Sequence, residues 1–165
     1  SDEGLSCLAG MPNLKTVSLR DARINGSGLA HLANAKNLTQ LNISETDVDN
    51  DGLSHLKGHT SLEHLDLWLT QIDDAGVKHL EGLTNLTFLS LAQTQVSNEG
   101  LSSVAGLTNL QGLNIKETQI DDEGLMKLAG LKNLTTLNIS GVPAITDEGI
   151  AALKSKLPNL KKVTR

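Results

Sequence analysis

Leucine returns along this chain on a fixed step. Leu14, Leu38, Leu62, Leu86, Leu110 and Leu134 are spaced 24 residues apart, and Leu160 closes the series after 26. Within each step the pattern splits into two halves. In residues 76–99, "GVKHLEGLTNLTFLSLAQTQVSNE", Leu89 and Leu91 alternate with Phe88, Ser90 and Ala92. That is the period of two expected of a strand with one buried face. The other half reads as a short helix. Ser1, Asn25, Asp49, Asp73, Ser97, Asp121 and Thr146 share one column, and all are good N-cap residues. Gly10, Asn34, Gly58, Gly82, Gly106 and Gly130 share another, where a left-handed C-cap is expected.

A third column confirms the period. Gly4, Gly28, Gly52, Gly76, Gly100, Gly124 and Gly149 follow at steps of 24, with a last step of 25. Columns that hold one period over a whole chain signal a solenoid, in which each unit buries its apolar face only against its neighbours.

The motif in each unit, such as Leu86, Leu89 and Leu91 in L-x-x-L-x-L followed by Thr94 and Val96, resembles the leucine-rich repeat. The resemblance covers essentially the whole chain. At the family's asparagine position this chain has Thr46, Thr70, Thr94 and Thr118, with Ala22 and Val142 in the outer units. A convex-side helix resembles the ribonuclease-inhibitor and cysteine-containing branches, although the unit is shorter and the cysteines are absent. The resemblance implies an α/β fold: a right-handed solenoid with a parallel sheet on the concave face and short helices on the convex face. Residues 1–165 are expected to form one domain of six to seven repeats. Residue 1 already sits in the N-cap column, so an N-terminal cap is expected to be missing. Functionally, the resemblance implies a non-catalytic module that binds another protein or peptide. The alternative is a substrate-recognition segment of a larger enzyme or effector, for example a ubiquitin ligase.

Composition narrows the picture. A chain of 165 residues with 38% hydrophobic and 20% charged content can bury a core and is not of the disordered class. No apolar run approaches the ~18 residues needed to span a membrane. Twelve of the 19 acidic residues lie at helix starts, where they complement the positive helix end, so the net charge of −5 does not mark an acidic binding surface. Five of the 14 cations (Lys154, Lys156, Lys161, Lys162 and Arg165) fall in the last twelve residues. Lysines on a terminal strand discourage pairing with a second chain. A monomer is expected, with no nucleic-acid partner and no membrane partner.

Candidate chemistry is sparse. "DVDNDG" (residues 47–52) matches the first half of a calcium loop, but the twelfth position is Gly58 rather than a bidentate Glu. His31, His55 and His79 share a helix column, yet helices pack roughly 8–10 Å apart and zinc needs its ligands at ~2 Å. No metal and no cofactor is expected. Cys7 is the only cysteine, which excludes an internal disulfide, and no base is specified beside it. No nucleotide-binding glycine loop, zinc motif or nucleophile elbow is present, so no catalytic residue is assigned. His59 replaces the leucine of Leu83, Leu107 and Leu131, which predicts a locally weak turn.

What varies is the concave face. Strand alternation turns Thr16, Gln40, His64, Phe88, Gly112, Thr136 and Lys162 outward in a first column, and a second column holding Asn42, Asp66, Ser90 and Asn114 is uniformly polar. A third column contains Arg20, Ser44, Trp68, Ala92, Lys116 and Ser140, and a fourth contains Asp21, Glu45, Leu69, Gln93, Glu117 and Gly141. The chain's two aromatics, Trp68 and Phe88, are both exposed by this register. Variation on a constant scaffold marks where a repeat protein specifies a partner. The predicted contact set is Trp68, Leu69 and Phe88, with His64, Asp66, Arg20, Glu45 and Lys116 around them.

Overall fold

A computed structural model describes residues 1–165. Seven strands of three residues each, β1 (Thr16–Ser18), β2 (Gln40–Asn42), β3 (His64–Asp66), β4 (Phe88–Ser90), β5 (Gly112–Asn114), β6 (Thr136–Asn138) and β7 (Lys162–Thr164), form one parallel sheet in chain order. The register repeats from strand to strand, so Leu41, Leu65, Leu89, Leu113 and Leu137 lie side by side facing inward. All five are 2% exposed or less. The single core cluster contains no aromatic residue. A stack of identical units favours one side-chain size per column, because a larger ring would break the spacing that its neighbours set.

Five α-helices lie on the other side: α1 (Asn50–Ser54), α2 (Asp74–Val77), α3 (Asn98–Val104), α4 (Asp122–Lys127) and α5 (Asp147–Lys156). Each starts at its predicted N-cap, where Asp49, Asp73, Ser97, Asp121 and Thr146 accept hydrogen bonds from first-turn N–H groups. The first two units depart from the expectation. Glu3–Gly10 and Ser27–Leu32 are 3₁₀ helices whose N-cap positions fall one residue late, on Asp2 and Gly26, although Asn25 still accepts the N–H of Ser27 at 3.0 Å. Gly26 has φ +102°, and a Cβ there would stand 2.7 Å from Gly52 Cα, so this close approach to the next unit requires glycine.

The C-cap expectation is also corrected. None of Gly10, Asn34, Gly58, Gly82, Gly106 or Gly130 has a positive φ. The helices end instead in successive i→i−3 turns, for example Leu107 N–H to Val104 O and Leu110 N–H to Leu107 O. The left-handed positions lie at the strand exits: Asp21, Glu45, Leu69, Gln93, Glu117 and Gly141, with φ of 53–69°. Cross-strand bonding holds the first five there. The N–H of Leu69 donates to Ala92 O at 2.9 Å, and its counterparts repeat that bond from unit to unit. Just beyond, the hydroxyls of Thr46, Thr70, Thr94 and Thr118 donate to the carbonyls three residues back at 2.6–2.8 Å, closing the turn. Where threonine is absent, the main chain substitutes: Ala22 N–H bonds Leu19 O and Val142 N–H bonds Ile139 O.

Adjacent units are joined at their helix starts. The first helical side chain of one unit reaches forward to the N-cap of the next. Asp74 accepts from the N–H of Ser97 and Gly100 and from the Ser97 hydroxyl, and Asp122 accepts from Thr146 in the same way. Asn98 instead exchanges two bonds with Asp121, and Asn50 does the same with Asp73. An asparagine therefore faces the caps Asp73 and Asp121, and an aspartate faces the hydroxyl caps Ser97 and Thr146. The glycine column makes room for this contact: a Cβ on Gly100 would lie 2.5 Å from Asp74 Oδ1.

The concave sheet as candidate binding face

The second column is polar for a structural reason. The side-chain oxygens of Asn42, Asp66, Asn114 and Asn138 each accept the N–H two residues ahead, at 2.9–3.2 Å. These bonds satisfy main-chain donors as the chain leaves each strand. Asp66 is thus already engaged: one oxygen takes the Trp68 N–H at 3.1 Å, and the other receives the Asn42 amide at 3.5 Å.

Trp68 and Phe88 face the concave side, but the register argument overstates their exposure. Both are half-buried. The Arg20 guanidinium lies 5.2 Å from the centre of the Trp68 ring. It reaches there over Ser44, which is wholly buried although it points outward. Ala92 on the other side is 1% exposed, so small outward residues are covered by long neighbours. Phe88 stacks against His64 with centroids 6.0 Å apart and an interplanar angle of 26°. Gly112 beside it leaves the room the ring needs, since a Cβ there would meet Phe88 Cδ2 at 3.0 Å. Phe88 pairs with His64 in the register, which leaves Trp68 four residues further along β3 and its exit. The two aromatics stand apart, roughly 13 Å along the strand direction.

A shallow depression of about 290 Å³, lined by residues including Thr16, Gln40, His64, Asp66 and Phe88, lies on one side of the Phe88 ring. A second of about 300 Å³, with Thr136 and Lys162, lies on the other. At the strand exits, side chains 25 residues apart pair diagonally. Arg20 meets Glu45 at 2.5 Å, an ion pair without hydrogen-bond alignment, and the Trp68 indole N–H donates to Gln93 Oε1. Gln93 Nε2 donates to Glu117 at 2.5 Å, and Glu117 pairs with Lys116 at 3.1 Å. The bond from Lys116, and then that from Gln93, holds the Glu117 carboxyl below its ordinary range. Leu69 stands in this row with 46% of its surface exposed and its backbone left-handed, a conformation that costs a side chain with a Cβ roughly 1–2 kcal/mol. The structure therefore gathers Arg20, Glu45, Trp68, Leu69 and Lys116 along one rim and places His64, Asp66 and Phe88 below it. Sequence reading missed Gln93 as a member. Its signal was available, because donor–acceptor complementarity recurs at the 25-residue spacing of Arg20 with Glu45 and Trp68 with Gln93.

Elsewhere, the basic C-terminal residues are partly committed. Arg165 bonds Asp147 and the Ile145 carbonyl. No helix is long and apolar enough to cross a membrane. Residues 34–57, 58–80, 82–105, 106–129 and 130–154 each match the leucine-rich-repeat family. Among solved structures, the chain is similar to internalin C2 from Listeria monocytogenes at 34% identity and a TM-score of 0.78, over 96% of this chain and 67% of that one. It is also similar to an internalin, InlF, from the same organism at 26% identity and a TM-score of 0.75, over 96% of this chain and 49% of that one. No curated protein matches it in sequence. With five consecutive family repeats inside a continuous parallel sheet, the chain belongs to the leucine-rich-repeat family.

Proposed function

We propose that this chain is a non-catalytic module that binds another protein through its concave sheet, with Trp68 as the principal contact. The observation that carries this reading is the rim around Trp68. The scaffold columns repeat almost unchanged, while this rim alone combines an indole, an exposed leucine held in a costly left-handed conformation and two internal ion pairs. Tryptophan is enriched among residues whose truncation costs ≥2 kcal/mol of binding. Phe88, stacked on His64, supplies a second and weaker contact on the same face. A nucleic-acid partner is disfavoured by the net charge of −5.

The test compares surface variants in binding to a protein partner captured by the wild-type domain. Trp68→Ala should leave the far-UV circular dichroism unchanged and weaken the partner at least tenfold, about 1.4 kcal/mol. Phe88→Ala should have a smaller effect, and Lys78→Ala on the convex side none. Binding that survives Trp68→Ala and fails on the convex variant would place the contact on the opposite side and refute the reading.

A further inference from the structure

We propose that Gln93 is a positioning residue that locks the Trp68 indole in one orientation before any partner arrives. The inference rests on the reading of Trp68 as a contact residue. It follows from the chemistry of the two groups Gln93 joins. An indole N–H can only donate, and an ionised carboxylate can only accept. Gln93 lies between them, with its amide oxygen on the Trp68 indole and its amide nitrogen on Glu117. Only one of the two amide orientations satisfies both neighbours, so the amide cannot flip without losing both bonds. Its backbone is equally constrained, because the N–H of Gln93 donates to Lys116 O at 2.8 Å with φ at 53°.

The restraint continues in both directions. Lys116 holds Glu117 at 3.1 Å, and Arg20, itself paired with Glu45, lies over the ring. Trp68 is the centre of a row that extends from the first unit to the fifth, each member tied to the next. A residue held in this way loses little rotamer freedom when a partner covers it. Gln93 acts through Trp68 and needs no contact with the partner.

Trp68 is the only tryptophan, so its fluorescence reports on this one residue. In time-resolved anisotropy the wild-type signal should decay only with tumbling of the whole domain. Gln93→Ala should add a faster component on the picosecond-to-nanosecond scale of free side chains, with unchanged far-UV circular dichroism. Glu117→Gln keeps an acceptor for the Gln93 amide nitrogen and should retain the single slow decay. A fast component already present in the wild type, or no change in Gln93→Ala, would overturn the proposal. The wild type alone offers a second reading: the indole N–H should exchange slowly with solvent, and free exchange would equally overturn it. Neither measurement uses a partner, so the positioning role can fail while the binding reading stands, and the reverse.

Discussion

Replacing Thr94 with valine changes almost no volume and removes one hydroxyl. That hydroxyl donates to Leu91 O at 2.6 Å, with Thr94 itself 6% exposed and Leu91 wholly buried. Losing the donor leaves the carbonyl to give up its bond in an apolar setting, which costs about 1–3 kcal/mol. With ~2.1 cal/mol/K of unfolding entropy per residue, each kcal/mol corresponds to roughly 3 °C in a chain of this length, so the melting temperature should fall by about 3–9 °C. Urea unfolding followed by circular dichroism would show a lower midpoint at an unchanged slope. Thr94→Ser keeps the donor and should lose only the methyl contribution, about 0.8 kcal/mol. The chain contains its own counterexample. At Val142, where no hydroxyl exists, the main-chain N–H bonds Ile139 O at 3.2 Å. If the fourth unit can make the same adjustment, the Thr94→Val midpoint will equal that of wild type. That outcome would refute the claim that the threonine column contributes to stability.

Other changes probe the core, the glycines and the buried histidine. Leu89→Ala, in a strand where Leu65 and Leu113 flank it, should cost ~2–5 kcal/mol by calorimetry, and an unaltered melting temperature would mean the inward register is wrong. Gly106→Ala should be neutral or stabilise by about 0.4–1 kcal/mol, since φ is ordinary and the nearest crowding atom to a Cβ is 3.9 Å away. Gly100→Ala should destabilise by more than ~1 kcal/mol, because its Cβ would collide with Asp74 and Val96. His59 is 2% exposed with Nδ1 unpartnered. Burial first, and the Lys36 charge second, push its pKa below the ordinary 6.5, against a backbone bond to Ala35. The fold therefore favours the neutral ring, whose contribution is present above pH 6.5 and is lost as pH falls toward the folded value. His59→Leu, matching Leu83 and Leu107, should stabilise the chain and flatten its stability profile below pH 6.5; an identical profile would exclude His59 as the cause.

The strands, the inward leucines and five helix starts were legible because each is set within one unit by period and capping chemistry. The left-handed column was not. Glu45, Leu69, Gln93 and Glu117 carry no signal for that conformation, and only Asp21 and Gly141 hint at it. Cross-strand bonding imposes it from the neighbouring unit. The glycines misled for the complementary reason. Those at the helix ends suggested backbone freedom, whereas the column that truly needs glycine makes space for a side chain from the preceding unit. On the candidate face, alternation assigned direction correctly for Trp68, Phe88 and Ser44. Exposure depended on how far Arg20 and His64 could reach across adjacent strands, which no single unit encodes.

The forward contacts at the helix starts define where this chain can be cut and rejoined. A segment such as 74–97 contains both members of one junction, Asp74 and Ser97, so removing or duplicating it leaves every remaining pair matched. Shifting the boundary by one residue breaks that parity. Deleting 97–120 would set Asp74 against Asp121, two carboxylates where a carboxylate and a hydroxyl, or an amide and a carboxylate, now meet. The unit of exchange therefore begins just after the helix cap rather than at the strand, and repeats swapped on that boundary keep their charges in register.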